Sequence, residues 1–265
     1  MGIQNTTLLL NRPAWVNNDL GAPSGEGVHI GVIDSGWDHV LSIPQISRGV
    51  GFVDPHDELA LFQSDDDRDR NGHGTACADL IHRIAPGAHL HPIRVFGRRL
   101  ETSIPLLQAA ILYAIEHQFR LVNISLGTFR SETLHPIYVT CEKARRAGLI
   151  LVAATHNSNA WSYPAIFENV ISVGLGDFDS PFDYAYRPGD AVECLAKGRN
   201  QRVRFLDGRI ESVSGTSFAA PNITGIIALF LERYPEASLE DVRDLLSQYA
   251  KPSNEIRILS RVRPF

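Results

Sequence analysis

The sequence predicts an α/β fold in three layers, a mostly parallel central sheet with helices on both faces, built as a single domain of 265 residues. Two observations carry this reading. Short, nearly continuous apolar runs of strand length alternate through the middle of the chain with longer segments of helical period, the pattern of right-handed βαβ crossovers. No Pro-, Gly- or Ser-rich linker and no internal repeat interrupts the alternation, and a chain of this length buries a substantial core.

Taken in order, Val28 to Ile33 (VHIGVI) is an apolar run bounded by Gly27 and by Asp34-Ser35-Gly36, as a buried strand should be. Asp34 then stands at the carboxyl end of a strand, the edge where catalytic groups collect in open α/β sheets, although an Asp before Ser-Gly also initiates turns. Gly49 to Val53 reads as a further strand. Ser64 to Gly74 (SDDDRDRNGHG) is acidic and leads into a helix from His73 to Ile84, with Ala76, Cys77 and Leu80 on its buried side. Asp67-x-Asp69-x-Asn71-Gly72 matches the first half of an EF-hand loop. Ala78 occupies the twelfth position, where a bidentate Glu is required, so the segment is read as a solvated loop.

Ala88 to Phe96 is a strand on which His89 and His91 share a face, a pair able to ligate a metal but lacking a third ligand. There follow a helix at Ile104 to Gln118, a strand at Leu121 to Ser125, a helix at Leu134 to Arg146, and strands at Leu149 to Ala154 and Val170 to Val173. Ala191 to Leu195 is a strand, and Arg202 to Val213 a hairpin turning at Asp207-Gly208. An almost wholly apolar helix from Ser217 to Arg233 is buried. Leu239 to Tyr249 closes the fold as an amphipathic helix, with Ser238 as cap and Asp241 at its third position.

Bulk properties exclude several functions. Charged residues make up 21% and the net charge is -5, which argues against nucleic-acid binding and against disorder. The start, MGIQNTTLLLNRPAWVNND, has no basic region before its one short apolar run, so no secretory signal is read there. No window approaches the roughly 20 apolar residues of a membrane span. Gly2 with Thr6 matches a short myristoylation pattern, taken as a chance match. Three cysteines, Cys77, Cys141 and Cys194, form no CxxC pair and suit a reducing compartment, so a cytoplasmic enzyme is expected.

Ser214 to Gly225 (SGTSFAAPNITG) reads as a tight turn feeding the apolar helix, with Ser217 in its first turn. Orphan amides and the positive end of the helix dipole favour negative charge there, which suits a nucleophilic serine, although Ser is also a common N-cap. Asp34 in VIDSG, His73 in NGHGTACAD and Ser217 in SGTSFAAP are each framed by small residues that leave room for a substrate backbone. Together and in this order they resemble the subtilisin-like serine proteases, the subtilase family.

The resemblance runs from about Ala14 to about Ala250. Ser125-Leu126-Gly127 is similar to the family's substrate-binding strand, LVAATHN to the segment ending in the oxyanion-hole asparagine, here Asn157, and Tyr163-Pro164 to a Tyr-Pro that is cis in family members. It implies hydrolysis of peptide bonds through an acyl-enzyme, with Ser217 as nucleophile, His73 as base and then acid, and Asp34 orienting the imidazole. Asn157 and the Ser217 amide would form the oxyanion hole. Ser125, Leu126, Gly127, Ala154, His156 and Ser162 would contact a polypeptide substrate, and no cofactor is implied.

Departures from the family pattern sharpen these expectations. Ala76 and Asp79 stand where a His and a Gly commonly follow the catalytic His, and Cys77 falls where thiol-containing members carry a Cys. His156 replaces the Gly that usually precedes the oxyanion Asn, and the loop Asn157 to Tyr163 is short, so the primary specificity pocket should be altered. Asp65 to Asp69 lies near the second substrate position and could favour basic residues there. The turn Ile84 to Gly87 leaves no space for the calcium loop of many secreted members, so no strong calcium site of that type is expected. Only 33 residues precede Asp34, which leaves no room for the prodomain of secreted members, so the chain is expected to fold unaided, to need a partner or inhibitor protein in trans, or to represent a mature fragment.

Overall fold

The computed structural model describes residues 11–53, 62–97, 99–129, 134–157 and 161–252, so the Met1–Thr6 start lies outside the described residues. The chain runs β1 (His29–Asp34), β2 (Val50–Val53), β3 (Phe62–Ser64), α1 (His73–Ile84), β4 (His89–Arg94), α2 (Ile104–Glu116), β5 (Leu121–Ile124), α3 (Leu134–Arg146) and β6 (Ile150–Ala154). Then follow β7 (Ile171–Gly176), β8 (Tyr184–Tyr186), β9 (Cys194–Lys197), β10 (Gln201–Arg204), β11 (Ile210–Val213), α4 (Ala220–Arg233) and α5 (Leu239–Tyr249).

The apolar runs become the central sheet, ordered β3-β2-β4-β1-β5-β6-β7-β9-β8. Pairing is parallel from β2 to β9, and only the short edge strands β3 and β8 run antiparallel. Alternate residues of each strand serve opposite faces. Ile33, Ile93, Val122 and Leu151 pack with α2 and α3, whereas Ile30, Leu90, Leu121 and Val152 pack with α1, α4 and α5. The expected three-layer fold is therefore the observed one. Between β4 and β5 the chain crosses from one side of β1 to the other, and at such a switch the carboxyl strand ends open a crevice. Asp34 ends β1 and Ser125 follows β5 there.

Helices α1, α3 and α5 occupy their expected spans, and Ser238 and Asp241 form a complete capping box on α5. The hairpin turning at Asp207-Gly208 is β10 and β11, paired antiparallel apart from the main sheet. Two expectations shift. The strand placed at Ala191 to Leu195 forms at Cys194–Lys197, because residues 190–192 bend after Gly189 at φ 82. The helix placed from Ser217 starts at Ala220, and Thr216–Phe218 form a single 3₁₀ turn ahead of it. Pro221 sets that limit, since its ring excludes an α-helical carbonyl four residues earlier, while a proline suits a helix's first turn.

Helices α1 and α4 cross closely on one face of the sheet. A Cβ at Gly225 would stand 2.7 Å from the Ile84 Cβ, so only glycine permits the approach. At the far end of α4, the Glu232 carboxylate accepts from three successive amides, Ser24 at 2.7 Å, Gly25 at 2.5 Å and Glu26 at 2.8 Å. Arg12 reaches Pro23 O at 2.6 Å and Ile84 O at 3.1 Å, so the entering segment is tied to both helices. Glu232→Ala leaves those amides to solvent and should cost about 2 kcal/mol, the scale of hydrogen bonds to a charged group. Urea unfolding should show a lower midpoint at unchanged slope, with Glu232→Gln recovering part of the loss.

Candidate active site

The end of β1 and the start of α1 bring a carboxylate and an imidazole together out of water. Asp34 is fully buried, and its Oδ1 and Oδ2 lie 2.8 and 3.0 Å from His73 Nδ1. Ser35 N–H donates to Asp34 Oδ1 at 2.7 Å, and Ser35 Oγ accepts from Gly74 N–H at 2.8 Å, which pins the helix start to the strand end. Gly74 is required for this approach, because a Cβ there would meet Gly36 O at 2.5 Å. Burial alone would push His73 down, but the Asp34 carboxylate overrides it and holds the imidazole well above its ordinary range.

The acidic loop is solvated at Asp65, Arg68 and Arg70, but not throughout. Asp67 is buried, accepting from Gly49 N–H at 2.6 Å and pairing with His39 Nε2 at 2.7 Å. Asp69 caps α1 from outside, taking the amides of Asn71, Gly72 and Thr75 and the Thr75 hydroxyl at 2.7 to 2.9 Å. Asp66 is paired with Arg68 and Arg70. The run that resembled a cation loop therefore organises the His73 helix, with Asp69 held by uncharged donors and Asp66 by arginines.

Ser217 occupies the 3₁₀ turn, with its Oγ 3.3 Å from the Ser125 carbonyl. Behind it, Thr216 N–H donates to Asn157 Oδ1 at 2.9 Å, and the Thr216 hydroxyl donates to Thr155 O at 2.6 Å. A backbone amide can only donate, so Asn157 must present its oxygen to Thr216 and turn its NH₂ away from that turn. Phe218 lies within the same turn and packs on the His73 ring at 4.9 Å between centroids. Phe218 thus stands against the imidazole in the turn ahead of α4 and not on the buried helix. Asn222 and Thr224 are buried polar groups that bond across the fold, Asn222 through its NH₂ to Lys197 O and Thr224 through its hydroxyl to Asn123.

A cleft of about 670 Å³ brings His73 and Ser217 together with Ser125, Leu126 and Gly127. Phe96, Ile104 and Leu107 give it apolar lining, and Glu101 also lines it. Thr128 and Tyr163 exchange backbone bonds at 2.9 and 2.8 Å, and the Tyr163-Pro164 bond is cis. Ser162 lies buried beside Gly127, its Oγ without a hydrogen-bond partner among the described residues. The His156 ring meets Phe129 edge-on at 5.0 Å, and Ala154 is buried at the end of β6, neither of them on the walls of that cleft. Residues 158–160 of the adjoining loop lie outside the described residues.

Two other groups bear on metals. Asp34, His73 and Cys77 offer ligand atoms within 4.8 Å of one another, and burial pushes the Cys77 thiol up to about 11. His89 and His91 gain a neighbour that the linear sequence hid: His29, in register with His89, bonds His91 at 2.9 Å and stacks on both rings. These imidazoles are engaged with one another. Burial first and the neighbouring histidines second push His91 down to about 4.

The His73 pair gives a titration test. With Asp34→Asn, burial remains and the compensating charge goes, so His73 should titrate below 6.5, read from its ring protons by NMR. Because the folded value is raised, the pair's stabilisation is complete below about pH 6.5 and is lost as pH rises through that higher value. Asp34→Asn should accordingly destabilise the fold more at pH 6 than at pH 9.

Comparisons with known proteins bear on the family and the fold. The family described as the subtilase family matches residues 25–262. The thermostable alkaline protease of Halalkalibacterium halodurans is 30% identical over 240 residues, covering 85% of this chain and 63% of its own length. Subtilisin DY of Bacillus licheniformis is 28% identical over 241 residues, covering 85% of this chain and 84% of its own. The chain thus spans less than two thirds of the first relative and most of the second. Among solved structures, a cold adapted subtilisin-like serine proteinase superimposes with a TM-score of 0.70 at 24% identity, over 85% of this chain and 83% of that one, a likeness of fold. With the family matched over nearly its whole length, the chain belongs to the subtilases, a family of serine proteases.

Proposed function

We propose that the chain is an endopeptidase that cleaves polypeptides through Ser217, with His73 and Asp34 completing a triad. The observation that carries this is the buried bond from His73 Nδ1 to Asp34, which leaves Nε2 as the imidazole's free nitrogen in the cleft that Ser217 also lines. A serine hydroxyl is too weak an acid to attack an amide at neutral pH unless a base takes its proton as the bond forms. His73 Nε2 takes it, and Asp34 fixes the tautomer and stabilises the cation. The same proton then goes to the leaving amine. The acyl group is left on Ser217 Oγ until water, activated by His73 in turn, releases the acid.

Negative charge on the substrate carbonyl is met by Asn157, whose NH₂ is freed for the purpose by the bond of its oxygen to Thr216. The extended substrate lies along Ser125 to Gly127, and the apolar walls at Leu126, Ile104 and Leu107 accept a bulky aliphatic or aromatic side chain. A narrower role, maturing one precursor peptide, is favoured by the His156 contact with Phe129, which adds bulk beside the segment ending in Asn157. Three free, buried cysteines support work in a reducing compartment.

A fluorophosphonate probe should label the native protein and not the Ser217→Ala variant. Absence of labelling in the native protein overturns the proposal. Asn157→Ala should lower kcat roughly 10²- to 10³-fold with little change in KM, the cost of one oxyanion donor. A peptide library separates the two roles, a single sharp consensus marking the precursor-processing enzyme.

A further inference from the structure

Pro221 deprives the nucleophile's own carbonyl of its ordinary partner. A carbonyl at position 217 would accept from the amide of residue 221 in a helix, and proline has no amide hydrogen. The Ser217 carbonyl accepts instead from side chains, Ser125 Oγ at 3.1 Å and Cys77 Sγ at 3.4 Å. Ser125 therefore grips Ser217 twice, because its own carbonyl lies 3.3 Å from Ser217 Oγ.

The Ser125 hydroxyl has one proton, so its other partners decide where that proton points. Asn123 Nδ2 donates to Ser125 Oγ at 2.8 Å, and an NH₂ cannot accept; Cys77 Sγ, 3.4 Å from the same oxygen, is a far weaker acceptor than a carbonyl, so the Ser125 proton is left for the Ser217 carbonyl. That arrangement holds only while Asn123 keeps its NH₂ toward Ser125. Thr224, on α4, keeps it there: its hydroxyl lies 3.0 Å from Asn123 Oδ1 and 3.1 Å from Ala220 O. Given to Asn123, the Thr224 proton locks the amide. Without it, the amide can reverse, and its oxygen draws the Ser125 proton away from Ser217. Asn123, Thr224 and Ser125 are at most 4% exposed, so water does not substitute for a lost member of the chain.

We propose that Thr224 and Asn123 are positioning residues that act through Ser125 to fix the peptide plane of Ser217, and with it the direction in which the nucleophile is presented. This rests on Ser217 being the nucleophile. Neither side chain lines the substrate cleft, so their effect belongs to the chemical step and leaves substrate binding alone.

Thr224→Val keeps the shape and removes the hydroxyl. Per active site titrated with a fluorophosphonate, kcat and the labelling rate should fall about tenfold to a hundredfold, the scale of a small misplacement of a reacting group. KM should stay within about twofold of the native value. Thr224→Ser should restore the rate. A lower melting temperature with a native rate per titrated site overturns the proposal, as does a Thr224→Ser variant as slow as Thr224→Val. If Thr224→Val does not fold, Thr224→Ala carries the same hydroxyl loss and is read by the same two rates. Failure of the native protein to label would instead remove the nucleophile reading on which the proposal rests.

Discussion

A carboxylate with no exposure to water must be paired, and the Asp34 to His73 bond is the pairing around which this molecule is arranged. It demands that the start of a helix be pressed against the end of a strand. The glycine at position 74, the bridging Ser35 and the cap supplied by Asp69 all serve that contact. Removing one partner leaves a buried charge uncompensated, whereas the pair together is tolerated. The acidic loop, which looks like surface, is one of the supports.

The second half of the site is organised by a different constraint, the missing amide of Pro221. That proline ends the 3₁₀ turn and starts α4, and so sets Ser217 outside regular helix. Local strain is not needed to expose the side chain; a change of helix type suffices. The carbonyl that loses its helical partner is met instead by side chains from β5's continuation and from α1. The residues that hold the serine thus come from the same two elements that hold the aspartate's surroundings and the histidine.

Most of the layer structure was legible because the central strands show as apolar runs and the helices by their period, and α1, α3 and α5 occupy the spans read for them. The edge strands β3 and β8, three residues each, carry too little pattern to be read. Asp34, His73 and Ser217 were legible from their small neighbours, which make room for both substrate and backbone contact. Thr224 and Asn123 were passed over because a single polar residue in an apolar run looks merely tolerated. The available signal was that a polar group in a wholly buried helix must find a partner somewhere. His29 was invisible for another reason: only strand pairing sets it beside residues some 60 positions away.

The bonds that hold Ser217 and its neighbour Thr216 span 59, 92 and 140 residues of chain. Contacts so distant close late, because the entropy of each large loop must be overcome before they form. A chain still being made, or one partly collapsed, carries the serine without its carbonyl anchor, its asparagine or its histidine. Chemical competence therefore arrives only with the finished sheet. On the endopeptidase reading proposed above, a copy that has not finished folding is therefore not yet able to cut its neighbours.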